Sequence, residues 1–98
     1  MSNKRSKVGQ KKHDESVRKT ADWYKNQGFT VKADLPGQIK PKKIGGFVPD
    51  VIAKKGKKEV IVEVETKKTA SADKEQQQAF RDYANRKNSR VFRKKIAK

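Results

Sequence analysis

Residues 48–66 read VPDVIAKKGKKEVIVEVET: two short apolar runs flank a basic turn, and three acids, Asp50, Glu63 and Glu65, sit among the apolar residues. At the centre, Gly56-Lys57 places glycine at the first central position of a type II′ turn, a two-residue loop that joins antiparallel strands. Pairing outward from it sets Val51 against Val62, Ala53 against Val60 and Pro49 against Val64, an apolar face throughout. Side chains alternate along a strand, so the other face carries Ile52 with Ile61, Lys54 with Glu59, and Asp50 with Glu63, and Glu65 follows on that side. A four-residue loop keeps this register. A three-residue loop puts Asp50 among Val60, Val62 and Val64, so the even loop is expected.

In this register two carboxylates face each other with Cβ atoms roughly 4.5–5.5 Å apart, which destabilises a sheet unless something compensates. One compensator is a divalent cation such as Mg²⁺, which prefers carboxylate oxygens and completes its shell with water and substrate phosphate. The alternative is a pair of exposed acids balanced by Lys67 and Lys68.

Charge narrows the partner. Lys and Arg number 27 against 11 Asp and Glu, a formal +16 on 98 residues, and neither end of the chain contains an acid. Lys4, Arg5, Lys7, Lys11 and Lys12 crowd one end, and Arg90, Arg93, Lys94 and Lys95 lie near the other, with Lys42 and Lys43 between them in the loop LPGQIKPKK. Such a distribution points to a polyanion, because cations that neutralise phosphates release condensed counterions and gain affinity without reading sequence. A membrane surface is not expected, since no basic helix with a broad apolar face is present. The absence of cysteine excludes disulfides and thiolate metal sites, and MSNKRSK lacks the apolar segment of a secretory signal, so the cytoplasm is the expected compartment.

Residues 1–12 read as a flexible basic arm and 13–98 as a single domain. A helix is expected from about Asp14 to Gln27, with Val17, Ala21 and Tyr24 on one face and Gly28 ending it. Phe29–Leu35 alternates as a strand, and the hairpin follows. A second helix is expected from a cap at Thr69 or Ser71 to about Asn85, with Ala72, Gln76, Ala79, Phe80 and Tyr83 on one face, and Arg90–Ile96 reads as a last strand. His13, the only histidine, lies beside the arm and reads as a solvated side chain. No phosphate-binding glycine loop precedes a helix.

A cation held by carboxylates beside a bound polyanion stabilises the charge that develops at a phosphodiester and activates the attacking water, so hydrolysis of a nucleic-acid backbone is the expected reaction. Pro49-Asp50 on one strand and Glu63-Val64-Glu65 on the next resemble the signature of the PD-(D/E)xK nuclease superfamily, Pro-Asp followed by acid-x-Lys. The resemblance covers about residues 14–96 and implies an α/β restriction endonuclease-like core of order αβββαβ, a mixed four-stranded sheet flanked by helices. It also implies a Mg²⁺- or Mn²⁺-dependent endonuclease with Asp50 and Glu63 as metal ligands.

The departure is Glu65, which stands where the superfamily usually has lysine. Some restriction enzymes of the superfamily have glutamate there, and Glu65 would serve as base or further metal ligand. Lys67 would restore the positive charge, or is a solvated lysine before the second helix. An acid on the first helix, Glu15 or Asp14, is implied near the metal, with a helix cap or first-turn acid as the alternative. Gln76 with Phe80 nearly matches a Gln and Tyr four residues apart found in some subfamilies, which implies that Gln76 orients a carboxylate or contacts phosphate. A compact basic version of this fold resembles archaeal-type Holliday junction resolvases, so the implied substrate is DNA, branched DNA included, with RNA a weaker expectation. A homodimer joined through Phe80 and Tyr83 or through Trp23 is the implied way to cut two strands. A non-catalytic DNA- or RNA-binding protein on the same fold is the alternative.

Overall fold

The computed structural model describes residues 7–65 and 74–96. Its elements are α1 (Lys7–Asn26), β1 (Thr30–Ala33), β2 (Val51–Lys55), β3 (Lys58–Glu65), α2 (Lys74–Asn85) and β4 (Arg90–Ile96), the order expected from the sequence. The strands lie side by side as β1-β2-β3-β4; β1 and β3 run antiparallel to β2, and β4 runs parallel to β3. Parallel neighbours need a crossover, and α2 supplies it.

The hairpin adopts the expected two-residue turn. Val51 pairs with Val62, Ile52 with Ile61, Ala53 with Val60 and Lys54 with Glu59, and Gly56 has the positive φ of 59° that a II′ turn requires at this position. Alternation then divides the sheet into two faces. On one, Val51, Ala53, Val60, Val62 and Val64 pack against Val17, Ala21 and Tyr24 of α1, with Ala33 and Leu35 completing the cluster. On the other, Ile52 and Ile61 meet Ile44 and Phe80, and Phe47, Tyr83 and Phe92 pack around them. Helix α2 lies over β3 and β4, and its Phe80 joins Ile52 of β2 in that cluster.

Residues 7–12, expected to be part of a flexible basic arm, are helical, because α1 runs from Lys7. Between there and Asp14 only Gly9 opposes a helix, and the first proline is Pro36, so the local sequence does not stop the helix ahead of Asp14. Lys11 and Lys12 are therefore exposed helical residues, whereas Lys4 and Arg5 fall outside the described residues. So do Thr69, Ser71 and Ala72, where the second helix was expected to start. The buried face of α2 is centred on Gln77, Phe80 and Ala84, with Gln76, Ala79 and Tyr83 half-buried beside it. Phe80 is wholly buried, so it cannot serve a subunit contact; Trp23, 56% exposed, remains open to one. None of the described helices is long and apolar enough to cross a membrane.

Candidate active site

Asp50 lies just before β2, and Glu63 and Glu65 lie at the far end of β3 on the face that α2 covers. The hairpin register, carried one pair past Val51 and Val62, sets Asp50 across from Glu63. There the Asp50 side chain joins the strands directly, because its Oδ2 accepts the Val64 N–H at 2.8 Å. All three acids are buried, at 8%, 2% and 0% exposure respectively, so the sequence pattern does bring them together and removes them from water.

That burial has an electrostatic consequence. Desolvation, then the charges of Asp50 and Glu65, and hydrogen bonding with both carboxyls in its protonated form push the Glu63 pKa up to about 10. At neutral pH Glu63 is therefore neutral, and a proton relieves the repulsion among the three acids. Gln76 on α2 donates from Nε2 to Glu63 Oε2, whereas the buried Glu63 Oε1 accepts from no donor among the described residues. Gln76 thus reaches a carboxylate, one of the two placements implied for it.

Helix α1 contributes a residue that the sequence reading misplaced. His13 is 5% exposed rather than solvated, with Nε2 at 3.3 Å from Asp50 Oδ2 and Nδ1 at 3.2 Å from Asp14 Oδ1. A neutral imidazole has one N–H, so both contacts are hydrogen bonds at once only when the ring is protonated. The signal was present in the sequence: extending the stripe of Val17, Ala21 and Tyr24 back by four residues lands on His13. Glu15, by contrast, is exposed. It follows His13 by two residues, about 200° around a helix, and so points away from the carboxylates. It is neither a ligand candidate nor a cap, since α1 starts eight residues earlier.

Basic residues surround the acids unevenly. Lys94 of β4 stands in parallel register beside Glu63, and its Nζ donates to Gln77 Oε1 at 3.4 Å. Arg93, Lys94 and Lys95 are exposed, as are Lys42 and Lys43, while Lys95 Nζ donates to Thr20 on α1 at 3.2 Å. Arg90 is not a free phosphate ligand: its guanidinium stacks 3.7 Å from the Tyr83 ring centroid, and its Nε donates to Glu59 Oε1 at 3.1 Å. Lys67 lies outside the described residues.

Three or more His, Cys, Asp or Glu side chains are nowhere gathered as a ready-made metal cage among the described residues. The reason is local, since Asp50 Oδ2 is held by His13 and Val64 N and Glu63 Oε2 by Gln76. The donor chemistry nevertheless fits a hard divalent cation: every candidate donor is a carboxylate oxygen, one buried oxygen of Glu63 accepts from no donor among the described residues, and burial first, then the charges of Asp50 and Glu65, disfavour the ionised form of Glu63. Asp50 and Glu63 are the residues that would hold such an ion, with Glu65 beside them.

No curated protein matches this chain. A family model described as REase_AHJR-like, a restriction endonuclease-like family, matches residues 4–92. Nucleases of the PD-(D/E)xK type typically use divalent metals, in keeping with the donor set described above. Since the match takes in both helices and the Pro-Asp hairpin, the chain belongs to the REase_AHJR-like family and, with it, to the PD-(D/E)xK nuclease superfamily.

Proposed function

We propose that this protein is a metal-dependent endonuclease that hydrolyses DNA phosphodiester bonds, with Asp50 and Glu63 holding Mg²⁺ or Mn²⁺. The observation that carries this reading is the burial of three carboxylates at one end of a basic sheet, tightly enough to push the Glu63 pKa up to about 10. Acids serving only solubility have no reason to be desolvated together. A divalent cation at such a site stabilises phosphoryl charge and lowers the pKa of water.

The chain's own groups have distinct tasks. His13 and the Val64 amide fix Asp50, and Gln76 fixes Glu63, so both carboxylates are oriented before substrate arrives. Glu65, on the same face two residues beyond Glu63, is the candidate base or additional ligand. Lys94 supplies a positive charge in register with Glu63. Exposed Lys11, Lys12, Lys43, Arg93 and Lys95 are candidate phosphate contacts. Branched DNA is a natural substrate for so basic a surface, and a dimer through exposed Trp23 would present two sites to two strands.

Incubation with plasmid, single-stranded and branched DNA in Mg²⁺, Mn²⁺ or EDTA tests the reading. Cleavage is expected with either metal, not in EDTA, and not after Asp50→Asn. Protein that binds each DNA and cuts none in either metal would establish the non-catalytic alternative, which Glu65 in place of the usual lysine favours.

A further inference from the structure

Away from the carboxylates, the same sheet face carries a second organised site. The face on which Asp50 and Glu63 lie continues through Ile52 and Lys54 on β2, opposite Lys32 and Thr30 on β1. Ile52 is buried there with Ile44 and Phe80, whereas Thr30, Lys32 and Lys54 beside it are exposed. Thr30, Lys32, Lys42, Ile52, Lys54 and Glu59 line a concavity of about 80 Å³ there, and the three lysines and Thr30 are exposed. That volume holds several waters or a group of similar size.

The wall of the concavity is built rather than incidental. Tyr83 donates its hydroxyl to Glu59 Oε1 at 2.8 Å, and Arg90 donates to the same oxygen. Lys42 Nζ donates to the Tyr83 hydroxyl at 2.5 Å, lies 3.8 Å from Glu59 Oε2 and sits 4.8 Å from the Tyr83 ring centroid. Burial acts to raise the Glu59 pKa, but the Tyr83 hydrogen bond, the charges of Lys42 and Lys54, and the Arg90 bond together hold it below the usual value. Glu59 is thus a fixed anion that anchors Lys42 at the rim. Against this single acid stand Arg90 and the three lysines, so the concavity keeps a positive excess.

We infer that the Lys32–Lys42–Lys54 shelf binds the phosphate backbone of the DNA strand that leads to the carboxylates. Lys54 is four residues from Asp50 on one strand face, about 14 Å, with Ile52 and facing Lys32 about halfway. Successive phosphates of one strand rise about 3.4 Å each along the duplex axis, so the shelf meets the backbone a few nucleotides from the site. No base edge is addressed, and the contact is insensitive to sequence. The inference takes the DNA partner from the proposed nuclease, but it concerns binding and does not require cleavage.

The test is the salt dependence of binding a labelled DNA duplex, by fluorescence anisotropy in EDTA. Wild type is compared with a Lys32→Gln, Lys42→Gln, Lys54→Gln triple variant and with a charge-matched control, Lys19→Gln, Lys57→Gln, Lys58→Gln, on α1 and the hairpin tip. The shelf variant should flatten the slope of log affinity against log salt by about 1 per lysine. Wild type then loses roughly 15- to 60-fold more affinity than the variant between 50 and 200 mM salt, and the control keeps the wild-type slope. An unchanged slope in the shelf variant, or an equal loss in the control, overturns the assignment. If the slope falls as expected but no preparation cuts DNA in metal, the shelf stands and the nuclease reading falls.

Discussion

The raised Glu63 pKa makes the metal-free protein's stability depend on pH in a direction opposite to that of most carboxylates. In the unfolded chain Glu63 loses its proton near 4.5, whereas in the fold it holds the proton up to about 10. Between those values the folded state binds one more proton, so stability falls as pH rises, at about 1.36 kcal/mol per pH unit. At pH 7 the accumulated cost is on the order of 3 kcal/mol, a large part of the total for a domain of this size. Glu63→Gln removes the titration and keeps both the shape and an acceptor for the Gln76 amide. The variant should therefore be more stable than wild type by on the order of 3 kcal/mol at pH 7 and scarcely different near pH 4.5. Equilibrium urea denaturation in EDTA at pH 4.5, 6, 7 and 8.5 measures this, and comparison with wild type cancels the titration of groups that do not interact with Glu63. A Glu63→Gln stability difference that does not grow with pH, or a variant weaker than wild type at pH 7, refutes the claim that the three acids are forced together.

Two further substitutions probe the scaffold around the site. His13→Ala should cost about 1–3 kcal/mol in urea denaturation, because Asp50 Oδ2 is left buried with only the Val64 amide. In a double-mutant cycle with Asp50→Ala the losses should be less than additive, and strict additivity would mean that the two side chains are not coupled. Gly45→Ala places a Cβ 2.9 Å from the Ala79 Cβ on α2, at a positive φ of 62°. It should lower the urea midpoint more than Gly37→Ala, where φ is 79° but nothing lies within 4 Å, and equal losses would leave only backbone strain.

What was legible in the sequence follows from short-range geometry. The turn at Gly56 fixes the hairpin register, the register sorts valines from acids, and both faces of the sheet follow, including the placement of Asp50 against Glu63. The contributions of α1 were read less well, since they depend on where a helix begins. A run such as KVGQKK is neither apolar nor broken by proline, and local composition favours an arm. The stripe of Val17, Ala21 and Tyr24 continued back to His13 was the local signal for a longer helix; what it could not show is the partner of His13, Asp50, 37 residues away. The same limit explains Glu15, assigned to the site when the helix was thought to start beside it. Arg90 shows the converse: a charge that reads as a phosphate contact is instead tied to Glu59 and Tyr83, partners distant in sequence.

These corrections give the site its logic. A hairpin alone delivers opposed acids but leaves their side chains free to turn into water. Helix α1 holds one through His13, helix α2 holds the other through Gln76, and the two helices approach from opposite faces of the sheet. Burial between them desolvates the carboxylates, which is the largest cause of the raised Glu63 pKa, and holds them close enough for the charges of Asp50 and Glu65 to raise it further. Glu65 in the usual lysine position adds to the effect, because it replaces a charge that would relieve the repulsion with one that increases it. The substitution therefore leaves a cluster with a greater need for an external cation, and Lys94 on the neighbouring strand is placed by register to supply part of it.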